Sequence, residues 1–317
     1  MQSRDSQVVS QAQKVISQVR RVVVGKDKTL LWVLAAIMAK GHILLEDIPG
    51  VGKTTMALAF SRTLGLSYNR VQFTPDVLPS DVTGYSILNQ ATGQMTYQPG
   101  AVLCNLFLAD ELNRATSRTQ SALLEAMEEG QVTVDGVSHR LPQPFVVIAT
   151  QNPTGAAGTQ LLPDSQMDRF MVRLSLGYPN PKDEMAMVMN RQGQDPLHSL
   201  SQLFAPTDVA LLQETVAQTY VSADVVKYIV ELIGATRRHE DIARGASPRA
   251  TLAVTAMAKA VAQLRGRDYV IPKDVQEVFS CVIAHRLLLS QQAESKGLSP
   301  EQVLAQIIGG VEAPKLR

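Results

Sequence analysis

Residues 44–54 read LLEDIPGVGKT. The run begins apolar, breaks at Pro49-Gly50 and closes on Gly52, Lys53 and Thr54. Phosphate-binding loops follow G-x-x-x-x-G-K-[ST]: glycines let the backbone approach a phosphate, the lysine neutralises it and the hydroxyl holds a cation. Here the first glycine position holds Asp47. Context therefore decides, since such a loop requires a strand before it and a helix after it. His42 to Glu46 (HILLE) is an apolar run of strand length, and TTMALAFSRTLG reads as a helix closing at Gly65. The loop running through Pro49, Gly50, Val51, Gly52, Lys53, Thr54 and Thr55 is thus a candidate nucleotide cradle. The plain alternative is a glycine turn with a surface lysine.

Working outward, four further strand-like runs follow: VQFT (71–74), LCNLFLAD (103–110), PFVVIATQN (144–152) and FMVRLSL (170–176), the last ending before GYPNP. Apolar runs without alternation suit a parallel sheet buried on both faces. Helices are predicted over 5–22, over 27–40 with a stop at Gly41, and over 116–130. Strands alternating with helices predict an α/β fold: a parallel five-stranded sheet with helices on both faces, binding its ligand at the carboxyl ends of the strands. Two stretches read as insertions that project from the sheet edge. Residues 86–97 carry the turn signal ATGQ, and 131–141 carry Asp135-Gly136, a strong hairpin signal. After about residue 195 the character changes to helices near 206–219, 222–238, 248–265 and 272–285, with no strand candidates. The expected organisation is a nucleotide-binding core with an N-terminal helix over 1–195 and an all-helical lid over 196–317. Ser247 is the expected N-cap and Pro248 the first residue of the third of those helices.

Composition narrows the function. The chain has 317 residues, enough for two domains, and 45% of them are hydrophobic, as in a globular protein. Net charge is +1 (30 basic, 29 acidic) and aromatics are 5%, so nucleic-acid binding is not expected. The two cysteines, Cys104 and Cys281, form no CxxC, and the five histidines form no HExxH, so neither a disulfide framework nor a zinc site is expected. The polar start MQSRDSQVVSQAQK has no signal-peptide core, and the longest apolar run, Leu30 to Ala39, is far short of the roughly 20 residues a membrane span needs. A cytoplasmic protein without a membrane span is expected.

The chemistry stands at the strand ends. LFLADE (106–111) closes on Asp110 and Glu111. Asp110 suits the shell of a Mg²⁺ ion, with Thr54 as the other protein ligand, and Glu111 can activate a water against the γ-phosphate. Read alone, this is a strand ending in solvated acids. VVIATQNP (146–153) closes on Asn152, which can position that water; read alone, it is an Asn-Pro turn. Arg169 (in MDRF) and Arg249 (in GASPRA) are candidates for the arginine that phosphoryl transfer uses, and each alone reads as a surface salt-bridge residue.

With these motifs in order, the sequence resembles the AAA+ ATPases and, within them, the MoxR family. The stretches that carry the likeness are GHILLEDIPGVGKT, LFLADELNRATSRTQSALLEAMEEGQVTVDG, FVVIATQNP, LPDSQMDRF and GASPRATLAV, spanning about residues 20–275. The resemblance implies Walker A at Gly50, Gly52, Lys53 and Thr54, and Walker B at Asp110 and Glu111. It implies sensor 1 at Asn152, sensor 2 at Arg249, and an arginine finger at Arg169 serving the next subunit, with Arg114 and Arg118 also near a plausible interface. Val24 and Gly25 match the segment bordering the adenine. The inserts at 86–97 and 131–141 resemble the helix-2 and pre-sensor hairpins. ATP and Mg²⁺ as cofactors, a homo-oligomeric ring (usually hexameric), a von Willebrand factor A domain partner and chaperone-like maturation of a client protein are likewise implied. The competing expectations are a chelatase ATPase subunit, an ATP-dependent assembly switch with little turnover, and a nucleic-acid motor.

Overall fold

The computed structural model describes residues 2–91, 93–152, 162–190 and 195–315, without the side chains of residues 2–7. Thr92 of the expected turn signal ATGQ and Pro153 of the expected Asn-Pro turn lie outside the described residues.

Two helices open the chain, α1 (Gln2–Arg20) and α2 (Asp27–Met38), followed by β1 (Ile43–Glu46), α3 (Lys53–Thr63), β2 (Tyr68–Gln72) and the short α4 (Pro79–Thr83). A hairpin β3 (Gly84–Asn89) and β4 (Gln94–Pro99) precedes β5 (Leu106–Asp110) and α5 (Ser117–Glu129). A second hairpin, β6 (Gln131–Val134) and β7 (Val137–Arg140), precedes β8 (Val146–Gln151), α6 (Asp164–Met167), β9 (Val172–Leu174) and α7 (Pro181–Asn190). Then come α8 (Pro206–Ala217), α9 (Ala223–Thr236), β10 (Ile242–Arg244), α10 (Pro248–Leu264), α11 (Pro272–Ile283), β11 (Leu288–Leu289), α12 (Gln291–Ser295) and α13 (Pro300–Gly310).

The central sheet has five strands in the order β2-β5-β8-β1-β9, all parallel. Side chains alternate across it, as the period of a strand requires. Ile43, Leu45, Leu106, Leu108, Val146 and Ile148 join a cluster with α1, α2, α3, α10 and α11. Leu44, Phe107, Ala109, Val147 and Ala149 join a second cluster under α5, with Leu123, Leu124 and Met127. Both faces are therefore covered, and β5 and β8 are buried along their whole length. The first cluster continues into α8, α9, α11 and α13, so one apolar core spans both sides of the expected boundary at 195–196.

Local differences from the sequence reading have physical reasons. The strand expected at 71–74 is β2, shifted to 68–72. It is an edge strand with mostly exposed polar residues (YNRVQ), which a search for apolar runs passes over. Helix α2 ends at Met38, and the left-handed residue beyond it is Lys40 (φ 58°), not Gly41. Gly41 is required for space instead: a Cβ there would overlap the Met171 side chain. The second half, expected to be all-helical, holds a two-stranded antiparallel pair, β10 with β11, too short to show periodicity. Helices α7, α12 and α13 were not among the expected elements. Ser247 is at the N-cap of α10 with Pro248 first, but its hydroxyl bonds Asp168 Oδ2 (3.0 Å) rather than the helix.

Both insertions are antiparallel hairpins outside the central sheet, and Asp135 and Gly136 take the left-handed geometry of a tight turn (φ 50° and 78°). The hairpins touch: the Tyr97 and His139 rings stack 3.7 Å apart at 11°.

The helical second half is pinned by Asp274, a wholly buried carboxylate at the start of α11. It accepts from Arg267 Nη1 (2.8 Å) and Nη2 (2.6 Å), from Arg265 (3.3 Å) and from the Ile271 amide (2.9 Å). Its partner Arg267 has its pKa raised, first by this hydrogen bond. Removing one member of such a pair costs about 3 kcal/mol or more. Asp274→Ala is accordingly expected to lower the unfolding free energy by that amount in urea titration; a loss below about 1 kcal/mol, the scale of an exposed pair, would contradict this.

Candidate nucleotide site

Gly50 (φ 87°) and Gly52 (φ 96°) both take left-handed backbone geometry, with open space where a Cβ would point. The dihedral, not crowding, demands glycine here. Gly52 caps α3, so the free N–H groups of that helix face the loop, a ready anion site. Lys53, first in α3, is buried, and its Nζ donates to the Asp47 carbonyl oxygen (2.7 Å). Burial lowers its pKa, while the charges of Asp47, Asp110 and Glu111 oppose that shift.

Asp47 is buried and its carboxylate turns away from the loop. It accepts from Ser175 Oγ (2.7 Å), the Leu176 amide (2.6 Å) and the Gly177 amide (3.0 Å), at the exit of β9. The first consensus glycine is thus replaced by a residue that ties the phosphate loop to a neighbouring strand exit. The same exit receives Thr29 Oγ1 on the Ser175 carbonyl (3.1 Å) and Lys26 Nζ on the Tyr178 carbonyl (2.8 Å). Gly25 (φ 74°) packs where a Cβ would overlap the Asp183 carboxylate. Val24 and Gly25 are therefore outside the loop cleft but connected to it through residues 175–178.

Two acids close the cleft. Asp110 is buried at the end of β5; Thr150 Oγ1 donates to its Oδ1 (2.6 Å), and Arg70 reaches its Oδ2 through Nε (3.2 Å) and Nη2 (2.7 Å). Glu111 stands in left-handed geometry (φ 56°), unusual for a non-glycine residue. It is held there by its amide on Thr150 Oγ1 (2.9 Å). Its carboxylate lies between Asn152 Nδ2 (3.2 Å to Oε1) and Arg114 Nη1 (2.8 Å to Oε2). One cleft of about 350 Å³ is lined by Pro49, Gly50, Gly52, Lys53, Thr54, Thr55, Asp110, Glu111 and Asn152, with Arg70 and Gln72 added. The donor set at its floor, the Thr54 hydroxyl and the Asp110 carboxylate, consists of hard oxygens and fits Mg²⁺, which takes one or two protein oxygens beside substrate phosphates.

The sequence reading missed Arg70, Gln72 and Thr150. Arg70 and Gln72 are two apart on β2, so both face the cleft, a signal readable only once that strand is placed. Thr150 was hidden inside an apolar run.

Arg169 and Arg249 are elsewhere. They line a separate pocket with Lys40, Gly41 and His42, at the entry of β1 and hence at the opposite edge of the sheet from the loop. Arg169 donates to the Leu124 carbonyl (2.6 Å) and pairs with Glu128 (2.9 Å), and Arg249 pairs with the other oxygen of Glu128. Arg249 does not line the nucleotide cleft of its own chain.

Residues 42–172 match the family model "ATPase family associated with various cellular activities (AAA)", and 234–307 match the AAA lid domain. The chain is 44% identical over 304 residues to the uncharacterized protein YeaC of Bacillus subtilis (96% of this chain, 95% of the relative). It is 40% identical to Chaperone MoxR1 of Mycobacterium tuberculosis (96% and 82%) and 31% identical to Protein MoxR of Methylorubrum extorquens (88% and 88%). A crystal structure of an ATPase candidate from Cytophaga hutchinsonii superposes with a TM-score of 0.90 at 37% identity, covering 99% of this chain and 98% of that one.

Because the Asp47 carboxylate holds residues 175–177, Asp47→Gly is expected to weaken ATP binding in a calorimetric titration. Tightening by about tenfold (~1.4 kcal/mol) would show instead that this carboxylate repels the triphosphate.

Proposed function

This chain belongs to the MoxR family of AAA+ ATPases, and from that premise we propose that it couples Mg²⁺-dependent ATP hydrolysis to the remodelling or maturation of a client protein. One observation supports the hydrolytic half above the rest. Glu111 is held in strained left-handed geometry at the cleft, with Asn152 on one carboxylate oxygen, and strain of this kind collects where chemistry needs it.

In this reading Lys53 and the loop amides from Gly50 to Thr55 hold the β- and γ-phosphates, and Thr54 and Asp110 would hold Mg²⁺, which when bound would supply neutralisation of phosphate charge. Glu111 accepts a proton from the attacking water, which Asn152 orients. For that step the Glu111 carboxylate must have an oxygen free of Arg114. Val24 and Gly25 border the adenine. Arg169 and Arg249, at the far edge of the sheet, serve the γ-phosphate of the next subunit, so the working unit is a ring, taken as a hexamer. The core extends over 1–195 and the lid over 196–317.

The hairpins are the client-facing parts. Tyr85, Ile87, Leu88 and Met95 on the first and Val137 on the second are exposed apolar side chains, such as contact a protein. A partner with a von Willebrand factor A domain and a cytoplasmic setting complete the proposal. Among the described residues no helix is long and apolar enough to cross a membrane.

Glu111→Gln keeps the shape of the side chain but cannot take the proton. It should lower kcat by about 10²–10⁴-fold while ATP binding is retained. Steady-state hydrolysis read beside equilibrium nucleotide binding checks this, and hydrolysis at the parental rate would remove Glu111 as the base.

A further inference from the structure

The pocket at the entry of β1 is charged out of balance. Lys40, Arg169, Arg249 and Arg286 contribute four cations, and Asp168 lies on its wall. His42, also on the wall, is neutral, its pKa lowered by burial to about 4. Asp168 is fully engaged: Oδ1 accepts from Arg286 Nε (2.7 Å) and Oδ2 from Ser247 (3.0 Å). Among the described residues the only other carboxylate on these arginines is Glu128, on the last turn of α5. Four cations thus face two carboxylates, leaving an excess close to the charge of a terminal phosphate.

Glu128 is bound in a particular way. One oxygen takes Arg169 and the other takes Arg249, so a single anion bridges guanidiniums from two distant parts of the chain. Such a bridge offsets the repulsion between two like charges. The scaffolding behind them is independent of Glu128. Arg169 keeps its bond to the Leu124 carbonyl (2.6 Å). The start of α10, which carries Arg249, is tied by Ser247 to Asp168, and Asp168 to the buried Arg286, which also donates to the Phe170 carbonyl (2.7 Å). Glu128 itself is 40% exposed. Exposed ion pairs are weak, and a released carboxylate there is rehydrated at once. Among the described groups holding the two arginines, Glu128 is the one that can leave cheaply.

We propose that Glu128 is an internal placeholder for phosphate: it keeps Arg169 and Arg249 paired until the γ-phosphate held by a neighbouring subunit displaces it. This rests on the reading that both arginines act on the neighbour's site. A doubly charged phosphate with three oxygens out-competes a single carboxylate for two guanidiniums. Glu128 therefore sets a threshold, holding the arginines off stray anions and making their engagement depend on ATP in the adjoining subunit.

The test is ATP hydrolysis per subunit as a function of protein concentration, for the parent, Glu128→Gln, Glu128→Ala, Arg169→Ala, Arg249→Ala and the double variant Glu128→Gln/Arg169→Ala. Both Glu128 variants should reach half-maximal activity at a protein concentration lower by about threefold, the scale of an exposed pair, and the double variant should lose that gain. If Arg169→Ala lowers hydrolysis but the Glu128 variants match the parent or fall with it, Glu128 is a passive or orienting partner, and the proposal is overturned with the shared site intact. If Arg169→Ala and Arg249→Ala both hydrolyse ATP at the parental rate, the shared site itself fails, and the placeholder with it.

Discussion

Burial of a parallel sheet on both faces is the constraint from which the rest of this molecule follows. The strands β1, β5 and β8 have almost no polar side chain along their length because α1, α2 and α3 cover one face and α5 the other. Polar chemistry is consequently forced to the strand ends, and parallel pairing sends equivalent ends to the same edge. Lys53, Asp110, Glu111 and Asn152 are brought into one cleft by that rule, although up to about a hundred residues of chain separate them. Thr150, a wholly buried polar side chain of β8, repays its burial locally. The Thr150 hydroxyl donates to Asp110 and accepts from the Glu111 amide, fixing both acids at once.

The same sheet has a second edge, and it is used differently. At the loop edge Asp47 ties the phosphate cradle to the exit of β9, and so to the segment that leads toward α7 and the lid. At the opposite edge Asp168 and Arg286 tie the entry of β9 to the lid, placing Arg169 and Arg249 side by side on Glu128. An acid thus anchors the chain at each end of β9, the buried Asp47 beside the phosphate loop and the half-buried Asp168 beside the arginines. On the proposed reading a subunit has half of a site on each edge, which gives the ring a physical reason: neither half is complete without a neighbour.

Much of this was legible in the sequence because burial writes simple patterns. LFLAD and VVIATQ are apolar runs ending in polar residues, and that is how strands covered on both faces must read. Asp135-Gly136 announced its hairpin through the dihedral it needs. What was not legible lies where the pattern is weak. The edge strand β2 is half solvated, so its Arg70 and Gln72 could not be assigned to the cleft. The pair β10–β11 is too short for any period. The positions of Arg169 and Arg249 depend on how the lid packs against β9, a long-range matter that no local spacing encodes. Asp47 was legible as a departure from the consensus, but its partners at 175–177 are about 130 residues away.

The central claim is that hydrolysis is shared between adjoining chains. It is tested most directly by mixing Arg169→Ala subunits, which keep an intact loop, with Lys53→Ala subunits, which keep an intact arginine edge, and measuring ATP hydrolysis across mixing ratios. The account predicts that each variant is defective alone and that mixtures regain part of the parental rate, from interfaces where an intact loop meets an intact arginine. Hydrolysis no higher than the sum of the separate variants at every ratio would contradict it.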